Sequence, residues 1–234
     1  MVKVIYTGIE SSGKSLMLSR KAEKVRIRNS RWYSITGLKR IMAFNSPMSD
    51  AFIESIEKSN STYLFFKNLD DIIYLEEADI FMDEVIKFFP ASQTSLSNEQ
   101  LHFITQGAKS GIHLWGASQD FSQVHKQFRR LVNEVYVVKK VIGSPRPMKT
   151  SPPVKVIWGL CTIRSVDPRS FRGDDSTMVE IEKGFIPKFF FILKKDISRF
   201  DTSYKIPIST LPVKRLRKQI ERCEEDGFTR VRYI

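Results

Sequence analysis

The strand-like segment Val2–Thr7 runs straight into Gly8-Ile9-Glu10-Ser11-Ser12-Gly13-Lys14-Ser15, a full match to the pattern GxxxxGK[ST]. No other feature of the chain restricts its fold as strongly. An apolar, β-branched strand suits a buried parallel sheet. The glycines open φ values closed to other residues and let phosphate approach the backbone. The loop N–H groups and the N-terminus of the following helix form a positive nest for phosphate oxygens. In such a loop Lys14 reaches the β- and γ-phosphates, and the Ser15 hydroxyl coordinates Mg²⁺. The expected nucleotide contacts are therefore Gly8, Ile9, Glu10, Ser11, Ser12, Gly13, Lys14, Ser15 and Leu16, with ATP and Mg²⁺ as the ligands. Glu10 places an acid inside the loop, and the sequence offers no physical reason for it beyond a side chain turned to solvent.

Two further strand ends carry chemistry. Asp79-Ile80-Phe81-Met82-Asp83-Glu84 is an apolar strand ending in two carboxylates. Beside a phosphate loop, Asp83 is placed to hold the Mg²⁺ shell, and Glu84 to deprotonate the attacking water as a general base. Gly111–Ser118 is a third buried strand, and it ends in Gln119. A carboxamide there can bond both the γ-phosphate and the water, and so report nucleotide state.

The rest of the first 140 residues alternates strand and helix. Helices are expected at Lys14–Val25, Asp50–Lys58, Ser97–Gln106 (capped by Ser97, with Gln100 at the third position) and Phe121–Leu131. Strands are expected at Ile41–Phe44, Tyr63–Phe66 and Val135–Val138. This alternation predicts an α/β P-loop NTPase with a mainly parallel sheet flanked by helices, of the additional-strand, RecA-like class. Beyond residue 142 the pattern changes. Strand-like Val154–Ile163 and Phe185–Leu193 flank the polar connection Asp167–Thr177, so antiparallel edge strands or a β appendage are expected. The domain reading is residues 1–210 for the ATPase and 211–234 for a basic C-terminal helix.

Composition narrows the partners. The net charge of +12 favours a polyanion, nucleic acid first and an anionic membrane surface second. Residues 1–50 hold ten Lys/Arg and three Asp/Glu, a local 10 − 3 = +7. Within them Arg20, Lys21, Lys24, Arg26, Arg28 and Arg31, near Trp32 and Tyr33, form a candidate electrostatic patch. Cys161 and Cys223 stand far apart, which speaks against a disulfide scaffold or zinc site and for a reducing compartment. There is no signal peptide and no run of 18 apolar residues, so no integral membrane segment is expected.

The loop, Phe81-Met82-Asp83-Glu84 and the block from Gly107 through Gln119 to Leu131 together resemble the zonular occludens toxin-like ATPases of the FtsK–HerA group of P-loop motors. Members include filamentous-phage assembly proteins and genome-packaging ATPases of membrane-containing viruses. The resemblance implies a homo-oligomeric ring, a hexamer or pentamer, and an arginine given by a neighbouring subunit to the transferred phosphoryl group. The candidates are Arg129 and then Arg130. It also implies double-stranded DNA as substrate, a capsid, portal or membrane protein as docking partner, and a location in the host cytoplasm or virion. The chain departs from the family in having Ala108-Lys109 where members often show Arg-His, and in lacking the membrane helix of the phage-assembly members. The expected function is therefore a DNA-stimulated packaging translocase. The alternatives are an ATPase driving protein assembly at a membrane and, more distantly, a nucleotide switch or kinase.

Overall fold

The computed structural model describes residues 2–9, 12–107, 109–143, 159–168, 182–192 and 199. Glu10 and Ser11 of the loop, Ala108, residues 144–158 with the start of the expected Val154–Ile163 strand, most of residues 167–177, residue 193, and residues 200–234, Cys223 included, lie outside the described residues.

The strands are β1 (Lys3–Thr7), β2 (Arg40–Phe44), β3 (Ser61–Phe65), β4 (Ala78–Met82), β5 (His113–Ser118), β6 (Glu134–Gly143), β7 (Gly159–Val166) and β8 (Glu182–Ile192). The helices are α1 (Lys14–Thr36), α2 (Asp50–Lys58), α3 (Asn98–Gln106) and α4 (Lys126–Arg130). One sheet takes all eight strands in the order β3-β2-β4-β5-β1-β6-β7-β8. The pairs from β3 to β6 are parallel, and β6-β7 and β7-β8 are antiparallel. Strand β5 stands between β1, which feeds the loop, and β4, which carries the acidic pair. That inserted strand defines the additional-strand class, and the antiparallel strands at the C-terminal end follow as expected.

The two faces of the sheet bury separate cores. Alternate residues of one strand point to opposite faces, so Val4 and Tyr6 face α1 and α2 while Ile5 faces α3 and α4. Under α1 the rings of Tyr63, Phe44, Phe81 and Trp115 form a row across β3, β2, β4 and β5, with centroid spacings of 5.7, 4.7 and 5.1 Å. Helix α3 carries the expected capping box between Ser97 and Gln100.

Two helices differ from expectation. Helix α1 continues eleven residues past Val25 and stops at Gly37, whose left-handed backbone (φ 70°) donates to Tyr33 O at 2.8 Å. Its polar second half is held by tertiary bonds: Asn29 Nδ2 and Arg28 Nη2 reach Asp79 in β4 at 2.8 and 2.6 Å. The helix expected at Phe121–Leu131 is only Lys126–Arg130. The preceding residues are taken instead by a bridge between Val124 and Pro90 and by His125 N donating to Phe89 O at 2.8 Å. No helix among the described residues is long and apolar enough to cross a membrane.

Candidate functional site

The C-terminal ends of β1, β4 and β5 share one edge of the sheet, because these neighbouring strands are parallel. The loop leaves β1 there. Gly8 (φ 150°) and Gly13 (φ 98°) sit where a side chain is excluded twice over. The backbone angle disfavours it, and a Cβ on Gly8 would collide with the Val138 carbonyl while one on Gly13 would press Cys161 Sγ at 3.3 Å. Lys14 is buried, and its Nζ donates to Gly8 O at 2.7 Å and Ile9 O at 2.8 Å. The ammonium is thereby held over the loop. The Ser12 hydroxyl is buried within the loop and makes no hydrogen bond among the described residues. Ile9 is exposed, and Leu16 packs partly against the α1 core.

Ser15 Oγ donates to Asp83 Oδ2 at 3.1 Å, with Oδ1 at 3.2 Å. The loop and the end of β4 therefore meet through the two residues expected to share the metal. Burial holds the Asp83 carboxyl above the usual carboxylate range. The Ser15 bond opposes this, Glu84 adds to it, and the Lys14 and Lys87 cations oppose it. A buried acid with a raised pKa beside a hydroxyl is a group that a divalent cation would stabilise in its charged form.

Glu84 has left-handed backbone (φ 61°, ψ 64°) and turns the chain from β4 into a 3₁₀ turn at Val85–Lys87. Its carboxylate pairs with Lys87. The turn depends on Gly116 in β5, because a Cβ there would collide with Val85 Cγ2 and with Ile5 Cδ1. Asn45, at the end of β2, holds the other side of the same turn. Its Nδ2 donates to Asp83 O and its Oδ1 accepts from Asp83 N, both at 2.6 Å. Sequence reasoning missed both residues: Gly116 stood only as part of the Gly111–Ser118 strand, and Asn45 was given no role at the site.

Gln119 follows Ser118, which is in register with Thr7, so it leaves the sheet beside Gly8 with its side chain exposed. Arg129 and Arg130 separate sharply. Arg129 is 3% exposed, while Arg130 faces solvent. Of the two, Arg130 is the one whose side chain is open to another molecule.

Several cations of the expected patch on α1 also make contacts within the chain. Arg20 lies over the Phe190 ring at 5.0 Å and bonds Phe191 O. Lys21 and Arg28 lie over Trp115 at 5.2 and 5.7 Å. Arg26 pairs with Glu23 at 2.9 Å, and burial holds Lys21 below the usual lysine range, with Arg28 and Lys24 adding to the effect. Lys24, Arg28 and Arg31 remain exposed.

The residues present fit a nucleotide with its metal. A partnerless buried hydroxyl, two side-chain-free loop positions and an ammonium over the loop suit a polyphosphate. Ser15 and Asp83 offer the hard oxygen ligands that Mg²⁺ takes alongside phosphate and water.

No family model matches the sequence, and no curated protein matches it. Among solved structures the chain is similar to the N-terminal domain of zonular occludens toxin from Neisseria meningitidis, at 15% identity over 86% of this chain and 100% of that one, with a TM-score of 0.45. It is also similar to the genome packaging NTPase B204 from Sulfolobus turreted icosahedral virus 2. The complex with AMPPCP matches at 10% identity over 79% of this chain and 98% of that one, TM-score 0.45. The complex with AMP matches at 11% identity over the same shares, TM-score 0.44.

Proposed function

We propose that this chain hydrolyses ATP to drive DNA translocation, as a ring-forming motor of the viral genome-packaging kind. The observation that carries the ATPase reading is the meeting of Ser15 with Asp83 beside a loop over which Lys14 is held. Lys14 neutralises the β- and γ-phosphates, and the loop N–H groups orient them. Mg²⁺, held by Ser15 and Asp83, would spread the negative charge that develops on the phosphate oxygens. Glu84 takes a proton from the water that attacks the terminal phosphate. Gln119, at the same edge, contacts that water or the phosphate and couples hydrolysis to movement. Arg130 of one subunit completes the site of its neighbour. Support for DNA as the cargo is the net charge of +12 and the motif resemblance described above.

The test is turnover by the wild type and by Lys14→Ala, each with and without double-stranded DNA over a range of salt. Turnover that needs Lys14 and rises with DNA is expected. Equal rates in the two proteins end the ATPase reading, and indifference to DNA at every salt concentration ends the translocase reading. Electron microscopy with a non-hydrolysable nucleotide counts the subunits of the ring.

A second reading, ATP-driven protein assembly at a membrane, is favoured by one surface. Trp32, Ile35 and Leu38 are exposed near the end of α1, Ile35 to 82%, and no carboxylate occurs between Lys24 and Lys39. Basic segments bearing exposed Trp, Ile and Leu suit an anionic membrane surface. Co-sedimentation with anionic vesicles and no response to DNA would select it.

A further inference from the structure

We infer that Asn45 is a positioning residue for the metal-binding acid, clamping the Asp83 peptide so that Asp83 and Glu84 leave β4 in a fixed geometry. The inference deepens the ATPase reading and rests on it.

The main-chain ladder between β2 and β4 runs in register from Ile41↔Ala78 to Phe44↔Phe81. Asn45 N still donates to Phe81 O at 3.3 Å, and there the backbone pairing stops. The Asn45 carboxamide then takes over as a surrogate strand, donating to Asp83 O and accepting from Asp83 N at 2.6 Å each. The amide satisfies both backbone groups of one residue, the N–H and the C=O of Asp83. Aspartate lacks the donor, serine offers a single oxygen, and alanine offers neither. Exchanging the amide oxygen and nitrogen would set donor against donor, so the pairing itself fixes the orientation.

Two features show what the clamp resists. The next residue, Glu84, is in the left-handed region, a conformation that costs a non-glycine residue free energy and persists only where its surroundings enforce it. The Asp83 carboxyl is buried against Ser15, so a small rotation of its peptide would break that contact. On the far side Val85 is locked into the notch left by Gly116. Asn45 and Val85 thus hold the Asp83–Glu84 turn from both ends, and Asn45 does so by hydrogen bonds directed at the peptide of Asp83.

The experiment measures ATP turnover and fluorescent-nucleotide binding as functions of Mg²⁺ concentration, in the wild type, Asn45→Ala and Asn45→Asp. Asn45→Ala is expected to keep metal-free nucleotide affinity, because the hydrogen bonds of Asn45 go to Asp83 and Phe81. It is expected to lose 10- to 100-fold, roughly, in maximal turnover or in apparent Mg²⁺ affinity, the usual cost of removing a group that orients a metal ligand. Asn45→Asp keeps the acceptor and the shape, and serves if the alanine variant does not fold. It should lose turnover as well, with faster hydrogen exchange at the Asp83 amide in the alanine protein only. Phe52→Ala, which weakens the α2 core beside Phe44 and leaves both groups of the Asn45 amide in place, controls for stability and should leave the Mg²⁺ dependence unchanged. Wild-type turnover and Mg²⁺ dependence in both Asn45 variants would overturn the inference while the ATPase reading stands. So would a Phe52→Ala protein with the same altered Mg²⁺ dependence. A wild type that neither binds nor hydrolyses nucleotide overturns both.

Discussion

Ser15 Oγ and Asp83 Oδ2, 68 positions apart in the chain, lie 3.1 Å from each other. Parallel pairing brings β1 and β4 to the same edge with β5 between them, and the loop turns Ser15 back over that edge. Two groups suited to one metal ion are thus in place before any ligand is considered.

Removing either member should separate nucleotide binding from metal use. Ser15→Ala and Asp83→Asn are expected to bind nucleotide without Mg²⁺ about as the wild type does. Both should lose the tightening that Mg²⁺ confers and ~10²-fold or more in turnover, the equivalent of several kcal/mol of charge stabilisation. Titration of a fluorescent nucleotide with and without Mg²⁺ checks this, and a Ser15→Ala protein that still responds fully to Mg²⁺ refutes it.

At the opposite edge, Asp79 is fully buried and accepts from Arg28, Asn29 and Arg40, the last at 3.1 Å. Arg40 is itself buried and also donates to Gly111 O at 2.7 Å and pairs with Glu77. Asp79→Ala would take one of two carboxylates from that guanidinium and leave it Glu77, at a cost of up to about 3 kcal/mol. Denaturant unfolding should show this as a lower midpoint, with nucleotide affinity kept below the transition. A loss under 1 kcal/mol, roughly, would mean that the network is solvated.

Lys3 gives a pH signature. Burial lowers its pKa to about 8, and Nζ donates to Ile104 O at 2.7 Å. Between about 8 and the ordinary value of 10.5 the folded chain has released this proton while the unfolded chain still holds it. The unfolded state binds more protons, so this group makes stability rise with pH across that window. The gain is bounded at roughly 3.5 kcal/mol, from about 1.4 kcal/mol per pH unit. Lys3→Met should flatten the rise in a plot of unfolding free energy from pH 7.5 to 10.5. An unchanged slope in the variant rejects the assignment.

The two arginines of α4 should fail in different ways. Arg129→Ala removes a buried side chain and is expected to lower the melting temperature. Arg130→Ala should leave melting unchanged and lower turnover by ~10³-fold or more if Arg130 acts across a subunit boundary. Mixing inactive Arg130→Ala with inactive Lys14→Ala should then restore part of the activity, because some interfaces pair an intact loop with an intact arginine. No recovery in freely exchanging mixtures removes Arg130 from that role.

The chain's local patterns determined much of this protein. A β-branched strand, a glycine-framed loop and a helix of period 3.6 are specified by neighbours a few residues apart, so Gly8–Ser15, the β4 acids and the α/β alternation were all legible. So was the α3 capping box, whose partners Ser97 and Gln100 lie three residues apart. Tertiary structure decided whatever depends on a distant partner. It laid Arg20, Lys21 and Arg28 over Phe190 and Trp115, contacts that their spacing along the chain does not reveal. It carried α1 past Val25 by giving Arg28 and Asn29 a carboxylate about fifty residues away. It buried Arg129, exposed Arg130, and made Asn45 a clamp on Asp83. Hydrogen bonds and ion pairs act over a few ångströms of space, whereas periodicity reports only separation along the chain. The uses of a charge or an amide are therefore settled only when the sheet brings remote strands side by side.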